Sequence, residues 1–81
     1  MSIIINKMLE TRQQHIDWVK KRALELARAG HVIKAMDSIT SDLQKHPETK
    51  GHLAPELALQ LYLAGKLSTS EEMVKFIEGI S

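Results

Sequence analysis

The side chains best suited to chemistry stand in QKHPETKGHLAPE, residues 44–56, where His46, Glu48 and His52 lie close together. Two imidazoles and a carboxylate are zinc-type donors, but zinc needs three or four ligands in a suitable geometry. The imidazoles here are six residues apart, without the i,i+4 spacing that sets two ligands on one helix face, and His15 and His31 belong to other helices. The backbone gives the simpler reason for this composition. Pro47 breaks a helix, Glu48 and Thr49 are polar turn residues, Gly51 permits a positive φ, and His52 can cap the helix that follows. The segment is read as a corner, with no metal ligand assigned. No Gly-rich phosphate loop or GxSxG is present, and the absence of cysteine removes disulfides, thiol nucleophiles and Cys-based zinc sites together. No catalytic residue and no cofactor is assigned, and enzymatic activity is not expected.

A second cluster lies in HIDWVKKRALELAR, residues 15–28. Trp18 is displaced by about 100° round the helix from the apolar residue Val19. His15 stands one turn before it, Arg22 one turn after, and Lys20 and Lys21 extend the basic patch. An exposed Trp amid cations can stack a base or anchor a protein. The competing reading packs Trp18 on a neighbouring helix and leaves the cations in water. The expected outward contact is Arg12, His15, Trp18, Lys21 and Arg22, with a protein partner favoured and nucleic acid as the alternative. The segment LYLAGKLSTSEEMVKFI, residues 61–77, has the outline of a helix-turn-helix. Its second helix, however, would present Glu71 and Glu72 to phosphates, which repel them.

The elements that must position these groups are helical throughout, because the apolar period is helical and no strand-like alternation is sustained. Gly30, Gly51, Gly65 and Gly79 divide the chain into four apolar stretches. The expected fold is all-α, one domain over residues 1–81, with four helices at about 6–29, 31–45, 53–64 and 69–78, paired as helical hairpins. The first is long. Asn6 is its expected N-cap and Gly30 its C-terminal stop. Ile5, Leu9, Arg12, Ile16 and Val19 form a seam along it, interrupted by Arg12, and this seam is assigned to self-association. A polar residue in such a seam can set the register between two chains. The third helix, LALQLYLA, is apolar nearly all round and belongs in a core or at an interface. Leu57, Leu59, Leu61, Tyr62 and Leu63 are expected to supply much of the core. Ser68 and Glu71 are read as the capping box of the fourth helix.

A chain of 81 residues makes a small core, so self-association is an economical way to bury more surface. Net charge is +1, yet residues 1–34 carry seven Lys/Arg against three Asp/Glu, and residues 35–81 carry four against seven. A basic end and an acidic end allow charge-guided assembly or an anionic partner. No segment reads as a membrane span or signal core, so no membrane partner is expected and the expected location is the cytoplasm.

Two resemblances add context. Leu24, Leu26, Ala29 and Gly30 recur 35 residues later as Leu59, Leu61, Ala64 and Gly65. The segment ALELARAGHVIKAMDSITSDLQKHPE, residues 23–48, resembles a tetratricopeptide repeat, with Gly30, Ala35, Ile39 and Pro47 at that family's spacing. The second copy lacks the matching small residue and proline, and one partial repeat makes no peptide groove. The stretch from Asp42 to Ile80 resembles small uncharacterised proteins of tailed phages and prophages of enteric bacteria, through KHPET, AGKLST and KFIEG. That resemblance implies a setting, a phage accessory protein acting in the host cytoplasm, and no chemistry. Separately, the expected function is a non-enzymatic one, self-association and binding to a host or phage protein.

Overall fold

A computed structural model describes residues 11–81. Ile5, Leu9 and the expected cap Asn6 lie outside the described residues. The fold is all-α: α1 (Arg12–Arg28), α2 (Val32–Leu43), α3 (Ala54–Leu63) and α4 (Ser70–Glu78).

Helix α1 is the longest of the four, and it starts later than the apolar period suggests. Thr11 is extended, and a capping box sets the start. Gln14 N–H donates to Thr11 Oγ1 at 3.1 Å, and Thr11 N–H donates to Gln14 Oε1 at 2.9 Å. The reciprocal bonds satisfy donors that the first turn would otherwise leave open. The expected helix over residues 6–29 therefore does not run through Thr11 unbroken.

Two of the corners are built alike. After α1, Gly30 takes φ +88°, His31 N–H reaches Leu26 O at 2.9 Å, and Gly30 N–H reaches Ala27 O at 3.0 Å. After α3, Gly65 takes φ +76°, Lys66 N–H reaches Leu61 O at 2.8 Å, and Gly65 N–H reaches Tyr62 O at 3.0 Å. Both are Schellman turns, which need a residue that tolerates left-handed backbone. The 35-residue echo in the sequence thus has a local physical cause.

The core is the contact of α1 with α2, closed by α4. Ile16, Val19, Ala23 and Ala27 line one stripe of α1, opposite Ala35, Ile39 and Leu43 of α2 and Met73 and Ile77 of α4. Alanine on both sides lets α1 and α2 approach closely. Burying each of the larger side chains contributes about 1.5–3 kcal/mol. The capping box of α4 lies one residue beyond its expected place: Thr69 is the N-cap and Glu72 the reciprocal partner. Glu72 Oε1 accepts from the backbone of Ser68 at 3.0 Å and of Thr69 at 3.2 Å. The Ser68 bond foremost, then those from Thr69, hold this carboxyl below the usual glutamate range. At the other end of α4, Lys20 Nζ donates to Glu78 O at 3.1 Å and to Ile80 O at 2.9 Å, closing carbonyls that the helix leaves open.

Helix α3 leans principally on α2. Only Ala54 and Ala58 of it are buried. Leu63 is 75 % exposed, Leu53 65 %, Leu59 51 % and Leu57 49 %, with Tyr62 also exposed. The expectation that Leu57, Leu59, Tyr62 and Leu63 form the core is overturned; Leu61 alone of that set packs partly against it. Small residues face α2, so the helix sits close on a narrow footing while its long side chains project elsewhere.

Candidate functional site: a saturated polar knot and an uncovered apolar helix

The segment from residue 44 to residue 53 is held by its own side chains. Thr49 is fully buried, and its hydroxyl donates to Leu43 O at 2.6 Å, closing the last turn of α2. His46 Nδ1 accepts from Glu48 N–H at 3.0 Å, and His52 Nδ1 accepts from Ala54 N–H at 2.9 Å. A nitrogen that accepts carries no proton, so both imidazoles spend Nδ1 on the backbone. Leu53, not His52, is the N-cap of α3, so His52 serves only by accepting from the first helical amide, while its Nε2 donates to Ser81 O at 2.9 Å. Among the described residues no group of three His, Cys, Asp or Glu side chains converges on a point where an ion would sit.

The cluster around Trp18 is organised by a residue outside the expected set, Asp42. Its side chain is 1 % exposed and takes three donors: Arg22 Nε at 2.7 Å, Lys45 Nζ at 2.9 Å and Ser38 Oγ at 3.1 Å. Burial pushes this carboxyl up. The hydrogen bonds from Lys45, Arg22 and Ser38 and the Arg22 charge outweigh it, so Asp42 titrates below the ordinary aspartate range. The two cations are about half exposed, so the pairing is charged on its solvent side and dry on the carboxylate side.

His15 is fully buried, and its Nε2 is 2.7 Å from the Asp42 carbonyl oxygen. A carbonyl only accepts, so Nε2 carries the proton. The His15 ring lies 5.3 Å from Trp18 and 5.2 Å from His46, centroid to centroid. Arg22 stands 5.0 Å and Lys45 5.5 Å from the Trp18 ring centroid, within cation–π range. The structure thus brings His15, Trp18 and Arg22 together, as their spacing suggests, but turns the group inward. His15 is corrected from an outward contact to a core histidine. Trp18 is half-buried, and two cations of its own chain stand within reach of its ring.

The remaining assigned residues are placed as follows. Lys21 is exposed on α1. Arg12 is half-buried, with Nη2 donating to Ser81 O at 3.2 Å. Ile16 and Val19 are fully buried within this chain's own core, so these two members of the seam assigned to self-association are not available to a second chain. The basic patch is also partly consumed: Lys20 closes α4, and Arg22 pairs with Asp42.

Among the described residues, what stays uncovered is the outer side of α3. Two grooves border it. One, of about 370 Å³, is lined by Leu53, Leu57, Phe76 and Ile80; the other, of about 390 Å³, by Val32, Ile33 and Tyr62. Ile33 is itself more than half exposed. The apolar period of α3 signalled this surface, but the sequence does not say that, among the described residues, nothing folds over it. Among the described residues no helix is long and apolar enough to cross a membrane. Comparison with protein-family models, with curated proteins and with solved structures gives no match for this chain.

Proposed function

We propose that the protein is a non-enzymatic interaction protein whose contact surface is the exposed side of α3. The observation that carries this reading is the exposure of Leu53, Leu57, Leu59 and Leu63 on one helix. A buried leucine contributes about 1.5–3 kcal/mol. Four left about half to three-quarters in water forgo part of that each, together about 4–7 kcal/mol, a sum that matters beside the stability of a small domain, about 5–15 kcal/mol. A partner that covers them recovers part of that energy; they form two pairs, Leu53 with Leu57 and Leu59 with Leu63, flanking the exposed Glu56 and Gln60. The resemblance of residues 42–80 to small phage and prophage proteins supplies the proposed setting, an accessory protein in a bacterial host cytoplasm. The proposed partners are a second copy and a host or phage protein.

Affinity capture from enteric bacterial lysate tests this reading with two baits, the wild-type chain and Leu59→Lys/Leu63→Lys. Because both leucines project into solvent, the variant keeps its helical circular dichroism. The expected result is a protein retained by the wild type and lost with the variant. Equal retention by both baits overturns the assignment to α3.

A further inference from the structure

We infer that the outer stripe of α3 pairs, antiparallel and two-fold, with α3 of a second copy of this chain. The inference rests on the reading of α3 as an interaction surface and names one occupant for it.

The buried side of α3 is Ala54, Ala58 and, in part, Leu61. Opposite it run Glu56, Leu59 and Leu63, and Lys66 follows past the Gly65 turn; all four are exposed. The spacings from 56 to 59, 63 and 66 are three, four and three, so the order of spacings is the same read from either end. The chemistry complements itself on reversal: acid, leucine, leucine, base. A two-fold axis level with Leu61 sets Leu59 beside the partner's Leu63 and brings Glu56 to the end of the partner's helix, where the partner's Lys66 follows the Gly65 turn. The same operation repeats both contacts, as an isologous interface requires. A parallel copy in register would instead set Glu56 beside Glu56. The three-four spacing of Glu56, Leu59 and Leu63 is also the period at which helices share a seam, while Lys66 lies off the helix, beyond the left-handed Gly65. Antiparallel packing brings the positive start of each helix beside the negative end of the other.

Charge helps to select this occupant. Glu56 is the only ionisable residue of α3 apart from Tyr62, so no like-charge pair opposes two such helices meeting. Area sets the strength. Leu59 and Leu63, with Tyr62 and Ile33 at the flank, offer on the order of 400 Å² of apolar surface per copy, below the roughly 800 Å² of a standard interface. The expected dimer is therefore reversible and concentration-dependent.

Sedimentation equilibrium on the full chain, from about 10 µM to about 1 mM, is the test in the range where a small interface associates. The wild type is expected to move from the 9.1 kDa monomer toward twice that mass. Leu59→Lys/Leu63→Lys is expected to remain monomeric with unchanged helical circular dichroism. Glu56→Lys and Lys66→Glu are each expected to weaken association about 3–10-fold, and the combined swap to restore it, because rim charges tune register and rate. Association unchanged by the leucine substitutions, or swaps that weaken without mutual rescue, would overturn the antiparallel pairing. A wild type that stays monomeric yet captures another protein through Leu59 and Leu63 also overturns it, while leaving the interaction function standing.

Discussion

Around Asp42 a carboxylate that water would solvate well is buried and supplied with three donors, while on α3 leucines that water solvates poorly stay in contact with it. The two regions adjoin the same helix, α2, from different elements. At Asp42 every cost of burial is met inside the chain, and among the described residues no buried side-chain nitrogen or oxygen lacks a partner. At α3 the opposite holds: the chain leaves free energy uncollected. A feature that is internally satisfied has little reason to recruit a partner, however functional its residue types look. Trp18 with its cations looked like a docking platform and is tied into the fold, whereas a run of plain leucines is the open surface.

Substitutions on each side should separate these roles. The largest expected effect is at Asp42. Asp42→Ala removes three hydrogen bonds, two of them charged, and calorimetry should show about 2–3 kcal/mol of lost stability. The value stays at the low end for a buried pair because Arg22 and Lys45 can turn to solvent. A loss under 0.5 kcal/mol would erase the contrast between the two regions.

Acid should reach the same site. The folded-state pKa of Asp42 lies below its unfolded value of about 3.9, so the folded state holds the proton less tightly. The stability it contributes is present above pH 4 and is lost as pH falls through the lowered folded pKa. Thermal melts between pH 7 and pH 2 should show this fall, and Asp42→Asn should flatten it. Glu72, lowered in the same direction by its N-terminal bonds, acts with it, so some slope should persist in the variant.

Thr49→Val tests the corner. It leaves Leu43 O without its buried hydroxyl donor, and a loss of about 1–2 kcal/mol is expected by denaturant titration. The smallest effect belongs to α3: Leu63→Ala, at a side chain mostly in water, should change monomer stability by less than about 0.5 kcal/mol. A large loss there would mean that the helix is covered after all.

The glycine stops, the loop at Pro47 and the helical class were legible in the residues because each is a local demand of the backbone. The capping signals were legible but displaced. Ser68 and Thr69 each precede an acid at the capping-box spacing, and only the backbone shows that Thr69 and Glu72 close the box. Thr11 and Gln14 carried the same signal and were overridden by the apolar period that runs through them. Ser38 and Lys45 lie within a helical turn of Asp42, but nothing local marked Asp42 as buried, and its third partner, Arg22, is twenty residues away on another helix. The approach of His15 and Arg22 to Trp18 was readable from helical spacing, whereas the approach of Lys45 was not.

The amino-acid sequence by itself determined which segments are helices, where they stop, and that one of them is apolar on every side, since propensity, capping and left-handed turns act over a few residues. Tertiary structure alone decided which apolar faces meet. Alanines direct α3 onto α2, and α4 rather than α3 completes the core against α1. Inside and outside are consequences of how helices approach one another, and that is not a property of any one helix.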